Sequence, residues 1–128
     1  MYSPGVLEHF EHPRNAGVLD APDATVQLEN PACGDLLKLT ARVANGHIAL
    51  IRFQAKGCVP AIACGSALTE LIAGKSLAEA TELSREELLR TLGGLPEASQ
   101  HASHLAMEAL AALINALRSQ TGRAPSGQ

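Results

Sequence analysis

The sequence predicts an α+β fold: a three-stranded antiparallel sheet with helices packed on one face and a long C-terminal helix. Three observations predict it. Apolar and polar residues alternate in short runs between Val26 and Ala55. Asn45-Gly46 separates two of those runs, a strong hairpin signal. After Cys58 the apolar residues recur at helical spacing instead.

Each element follows in order. Pro4 to Glu11 suits a short helix, opened by Ser3 as N-cap and stopped before Pro13. Arg14 to Asp23, with Asn, Gly and two Asp, reads as a loop. Val26 and Leu28 mark a first strand. Leu37, Leu39, Ala41 and Val43 alternate with Lys38, Thr40 and Arg42 in a second. Ile48 to Ala55 make a third. Pro60 to Ala73 suits a helix that Gly74 stops. Ser76 to Thr81 and Ser84 to Leu92 are short helices, each opened by a Ser cap. Gly93-Gly94-Leu95-Pro96 is a break. The longest helix runs from about Ser99 to Leu117. It carries Ala102, Leu105, Ala106, Ala109, Leu110, Leu113 and Leu117 on one face. Gly122 to Gln128 is polar and contains Gly and Pro. The expected organisation is one domain over residues 1–119 and a flexible tail over 120–128.

Composition narrows the function. The chain has 128 residues, enough for one core. Tyr2, Phe10 and Phe53 are its only aromatic residues, so it offers little on which bases could stack. The net charge is −3 and no Lys/Arg cluster exists, which argues against nucleic-acid binding. The longest apolar run is far short of a membrane span. Met1-Tyr2-Ser3-Pro4 lacks a basic-then-apolar leader pattern, so the cytoplasm is expected. Three cysteines, an odd number, fit thiols in a reducing compartment.

The hairpin brings two of those thiols together. A two-residue turn at Asn45-Gly46 would set Cys33 opposite Cys58, but Leu37 and Leu39 opposite Gln54 and Arg52. A three-residue loop, Ala44 to Gly46, would set Leu37 against Phe53 and Leu39 against Ile51, a better apolar match and the preferred register. Either way the thiols share one end of the hairpin, within about one strand spacing (~5 Å). Asp35 projects to the same face if the strand reaches it. Each Cys stands beside a Gly, in Pro31-Ala32-Cys33-Gly34-Asp35 and in Lys56-Gly57-Cys58-Val59-Pro60. Glycine lets backbone approach an ion or cluster, and thiolates are soft ligands. Cys58 also precedes a helix, a position that lowers a thiol pKa. His101 and His104 share a face at the start of the last helix.

Plainer readings compete. A lone Cys is often a small core hydrophobe. That reading is preferred for Cys64, which lies between Ala63 and Gly65 within a helix. If Cys58 and Cys64 were both helical, ~9 Å of axial rise would separate them. His104 suits a surface position. His9, His12 and His47 are expected near turns or on exposed faces. Asp35 could simply cap a strand end.

With these residues in view, residues 2 to about 117 resemble the U-type iron–sulfur cluster assembly scaffolds, the IscU/SufU/NifU N-terminal family. The resemblance rests on Tyr2-Ser3, on Glu8-His9-Phe10-Glu11-His12-Pro13-Arg14-Asn15-Ala16-Gly17, and on the two cysteine segments above. Ala61-Ile62-Ala63, Ser66 and Gly74-Lys75-Ser76-Leu77-Ala78-Glu79-Ala80 add to it. It implies a non-enzymatic scaffold that takes sulfur from a cysteine desulfurase, builds a [2Fe–2S] cluster with iron, and passes it to client proteins. It implies Cys33, Asp35 and Cys58 as site residues, with His101 where the family has a His before its third Cys. That third Cys is here Ala102. Leu95-Pro96 is followed by Glu97-Ala98-Ser99-Gln100 rather than the Pro-Val-Lys that specialised Hsp70-type chaperones grip, so the resemblance does not extend to that handover. Cys33, Cys58, His101 and Asp35 can terminate a [2Fe–2S] cluster or form a tetrahedral zinc site. The alternative is therefore a zinc-binding paralogue, structural or regulating a desulfurase. An enzyme ranks third: four ligands close a zinc site to hydrolysis, and a sulfur-transfer role would need a reactive thiol, for which Cys58 is the best candidate.

Overall fold

A computed structural model describes residues 2–122. The N-terminal helix α1 (Pro4–Glu11) starts as its sequence predicts. Ser3 accepts a hydrogen bond from the Val6 amide, and Pro4 fills a first-turn position where no donor is needed. The Ser3 hydroxyl also donates to the Leu92 carbonyl, which ties the chain start to the helical layer.

Three strands follow, β1 (Ala24–Glu29), β2 (Leu36–Ala44) and β3 (His47–Lys56). They form an antiparallel meander in that order. Asn45 (φ 57°) and Gly46 (φ 76°) are both left-handed, which makes a two-residue turn with the twist a hairpin needs. Ala44 pairs with His47 and Val43 with Ile48. The register then slips between Arg42 and Val43, where Arg42 pairs with Leu50 and Ala49 is passed over. Beyond that bulge Leu39 faces Phe53 and Leu37 faces Ala55. The preferred three-residue loop is thus corrected. The register it gave differs from the observed one by two residues, and a two-residue shift leaves every side chain on its own face. The hydrophobic pattern cannot separate the two, because Leu37, Leu39, Ala41, Ile51 and Phe53 are buried in either.

The helical layer covers one face. It comprises α2 (Val59–Ile72), α3 (Leu77–Thr81), α4 (Arg85–Leu92) and α5 (Gln100–Gly122), with a short 3-10 turn at Glu97–Ser99. Ser76 with Glu79, and Ser84 with Glu87, form reciprocal capping boxes at α3 and α4. Gly93 (φ 76°) ends α4. α2 lies on β3 and α5 on β1 and β2. A Cβ at Gly65 would come 2.6 Å from the Phe53 ring, so glycine sets how closely α2 approaches the sheet. The predicted stripe on α5 is buried throughout, with Ile114 added to it. That helix runs five residues past Leu117, to Gly122. The rest of the expected tail, from residue 123, lies outside the described residues. Among the described residues no helix is long and apolar enough to cross a membrane.

Candidate metal centre at the end of the sheet

Four short segments converge where β2 begins and β3 ends. Asp35 immediately precedes β2, and Cys58 lies between β3 and α2, as the N-cap of α2. Cys33 lies in the turn before Asp35, and His101 in the first turn of α5. Asn30 organises the Cys33 turn. Its carbonyl accepts the amides of Cys33 (3.3 Å) and Gly34 (2.7 Å), its side chain accepts the Ala32 amide (2.9 Å), and its own amide donates to the Asp35 carbonyl (2.8 Å). Sequence reasoning missed Asn30, although Asn before Pro is a turn-initiating pair.

Asp35 is the hub. It is buried. The Cys58 amide donates to its Oδ1 (3.3 Å), and the Cys58 thiol to its Oδ2 (3.2 Å). His101 Nε2 lies 3.2 Å from the same Oδ2. A Cβ on Gly57 would sit 2.1 Å from Oδ1, so the absent side chain at Gly57 (φ 138°) is what lets the carboxylate reach the Cys58 amide. Cys33, Asp35 and His101 each offer a donor atom within 4.8 Å of the other two. Among the described residues this is the one trio of potential ligands so arranged. Cys58 reaches it through Asp35. The hairpin argument thus brought Cys33, Asp35 and Cys58 to one place, and α5 adds His101.

The electrostatics correct one expectation. Burial pushes the Asp35 carboxyl up, but hydrogen bonds from the Cys58 thiol, the Cys58 amide and the Cys33 thiol, with the charge of His101, hold it below the ordinary value. The Cys58 thiol goes the other way from the expected activation. Burial raises it first, and the Asp35 carboxylate adds to that. The Ala61 amide in the first turn of α2 pulls it down, and is outweighed. Cys58 is therefore no activated thiolate here. Cys33 is exposed. Cys64 is 1% exposed, and burial pushes its thiol up to about 12, as suits the core role expected of it. Ala102, beside His101, is also buried.

The other histidines divide. His12, His47 and His104 are exposed as expected. His9 is not: it is buried, with Nδ1 2.7 Å from Ser66 Oγ and Nε2 3.5 Å from Glu70. Ser66 also accepts the Arg14 amide (2.8 Å). This latch fastens α1 and the following loop to α2. Ser66 and His9 stand 57 positions apart, so no local pattern announces it.

Comparison with known proteins gives a consistent picture. Residues 1–124 match the family described as the NifU-like N terminal domain. The chain is 42% identical over 110 residues to the iron-sulfur cluster assembly scaffold protein IscU 1 of Archaeoglobus fulgidus, covering 86% of this chain and 72% of that one. It is 40% identical over 124 residues to the iron-sulfur cluster assembly scaffold protein IscU of Aquifex aeolicus, covering 95% and 79%. The crystal structure of a NifU-like protein (N-terminal) from Brucella abortus superposes with a TM-score of 0.72 at 19% identity, covering 91% and 94%, which shows the shared fold.

Proposed function

Since the chain belongs to the family of NifU-like N-terminal domains, we propose that it is a scaffold on which an iron–sulfur cluster is assembled and from which it passes to client proteins. The relatives from Archaeoglobus fulgidus and Aquifex aeolicus are named as scaffolds for iron-sulfur cluster assembly. The observation that carries the reading to this chain is the trio of Cys33, Asp35 and His101 within 4.8 Å, with the Cys58 thiol on the same carboxylate. In this reading Cys33 and Cys58 supply thiolates, His101 an imidazole, and Asp35 an oxygen ligand. The cargo is a [2Fe–2S] cluster, for which mixed Cys/His ligation is chemically sound. A hard oxygen donor holds such a soft cluster weakly, which suits a cargo meant to leave.

Sulfur arrives from a cysteine desulfurase, and Cys33 receives it. The Cys33 thiolate attacks the terminal sulfur of the donor's persulfide. That sulfur becomes bonded to Cys33, and the donor leaves as a thiolate. Exposure supports Cys33 over Cys58, whose thiol burial and Asp35 hold protonated, and over Cys64, which no donor can approach. The protein itself is a carrier rather than an enzyme. It works in the cytoplasm, where thiols stay reduced.

Ala102 favours one second reading. Without a thiol at that position the same four residues make a closed tetrahedral zinc site, and zinc would occupy the isolated form. Anaerobic incubation with ferrous iron, cysteine, a cysteine desulfurase and a dithiol reductant, which supplies the electrons that turn the Cys33-bound sulfur into sulfide, separates the two. The scaffold acquires iron and acid-labile sulfide in equal amounts. A zinc paralogue retains zinc and takes up no sulfide.

A further inference from the structure

Sulfur that reaches Cys33 as a persulfide is two electrons short of the sulfide that a cluster contains. The same site holds a second thiol. Cys58 donates to Asp35 Oδ2 at 3.2 Å, and the Cys33 thiol hydrogen-bonds the same carboxylate. The backbone keeps the two cysteines adjacent. Leu36 pairs with Lys56, so Asp35 and Gly57 follow at one end of the hairpin, and Cys58 is the next residue. Asn30 folds the Cys33 turn back onto that end through the Cys33 and Gly34 amides and the Asp35 carbonyl. A Cβ at Gly34 would meet nothing within 4 Å, so the turn has space in which Cys33 can close on Cys58. The two thiols differ in access: Cys33 is exposed and Cys58 half-buried.

We propose that Cys58 is the resolving thiol for a persulfide on Cys33. Its sulfur attacks the inner sulfur of the persulfide, Cys33 Sγ. A Cys33–Cys58 disulfide forms, the bond from Sγ to the terminal sulfur breaks, and the terminal sulfur leaves as hydrosulfide. The departing sulfur takes the electron pair of the broken bond, and the two cysteines are left oxidised to the disulfide. Asp35 Oδ2, already the acceptor of the Cys58 thiol, takes its proton, which ends on the hydrosulfide. A dithiol then reduces the disulfide and restores both thiols for the next sulfur. The dithiol thus acts on the disulfide rather than on the persulfide. Shielding suits this role. A resolving thiol has one sulfur to meet, and proximity stands in for activation. Half-burial also keeps an external donor on Cys33. Cys64, 1% exposed in the core, cannot serve. The delivery of sulfur to Cys33 rests on the scaffold reading. The pairing of the two thiols does not.

The test is a single anaerobic loading without any reductant. Sulfane sulfur comes in one arm from a cysteine desulfurase with cysteine and in the other from inorganic polysulfide, and excess donor is removed. Released sulfide is measured, and the peptides are mapped by mass spectrometry. The native chain and Cys64→Ala should release about one sulfide for each sulfur loaded and should acquire the Cys33–Cys58 disulfide. Cys58→Ser should keep its persulfide on Cys33 and release sulfide about tenfold or more slowly. The disulfide in the native chain is read without any substitution, so a variant that folds poorly leaves the test standing. A persulfide that stays on Cys33 in the native chain, a persulfide that moves intact to Cys58, or equally fast release from Cys58→Ser would overturn the assignment. If polysulfide alone loads Cys33 and the disulfide follows, the desulfurase-fed scaffold reading fails and the resolving pair stands. If the desulfurase loads Cys33 and the persulfide persists, the reverse holds.

Discussion

Cys58 and Cys64 stand six residues apart, one on each side of the boundary between the sheet's end and the interior of α2. The first caps the helix, half-buried, and its thiol donates a hydrogen bond to Asp35. The second lies in the apolar core with Ala63, Ala67 and Leu68, all fully buried. The same residue type is a candidate ligand in one place and a small hydrophobe in the other. Burial and neighbours decide which. The histidines repeat the lesson in reverse: His101 reaches the site carboxylate, whereas His9, nearly closed off from water, serves as a fastener.

The contrast can be broken most strongly by thiol alkylation. Cys33 should react first and Cys58 more slowly. Cys64 should react only through unfolding, about a thousandfold or more slower, because so little chain is unfolded at equilibrium. Mass spectrometry of the labelled peptides gives the order. Labelling of Cys64 at a rate near that of Cys33 would remove the distinction. Next in size, Leu68→Ala should cost about 2–5 kcal/mol in urea unfolding, the usual range for a buried leucine, while Cys33 alkylation in native buffer stays unchanged. An interior substitution that altered Cys33 reactivity would mean that the two regions are not separate.

Gly57→Ala sharpens the comparison from the other side. Its Cβ would meet Asp35 Oδ1, and its φ of 138° is strained for any other residue, so about 1–3 kcal/mol of stability should be lost. The displaced carboxylate should also free Cys58 to alkylate faster. Smallest is the pH response of the His9 latch. Burial, then Arg14, holds the His9 imidazole below its ordinary value near 6.5, while Glu70 and Glu8 pull the other way. The folded state therefore binds its proton less readily than the unfolded chain. The stability is fully present above about pH 6.5 and is lost as pH falls toward the lower native value. His9→Gln should flatten that slope in urea midpoints measured across the range.

What the sequence made legible follows the range of the forces involved. Alternation and helical spacing are local, so the strand faces, the α5 stripe and the Ser caps were readable. Register was not, because a shift by two residues preserves every face. Only the left-handed Asn45-Gly46 pair and the bulge at Ala49 distinguish it. The arrival of Cys33 and Cys58 at one carboxylate, Asp35, survived that error, since a two-residue shift still leaves both at one end of the hairpin. His101 came from the family resemblance rather than from spacing. The raised Cys58 thiol was out of reach because it depends on where Asp35 points. His9 was out of reach because Ser66 and Glu70 lie on another helix.

The central claim is that this site loads a cluster without a third cysteine, through the exposed thiol at the sheet's end and not through the buried one. Iron and acid-labile sulfide should be measured after anaerobic reconstitution of the native chain, Cys33→Ala and Cys64→Ala side by side. The account predicts about two iron and two sulfide per cluster in the native chain and in Cys64→Ala, and neither in Cys33→Ala. Zinc without sulfide in the native chain, or a cluster lost in Cys64→Ala and kept in Cys33→Ala, would contradict it.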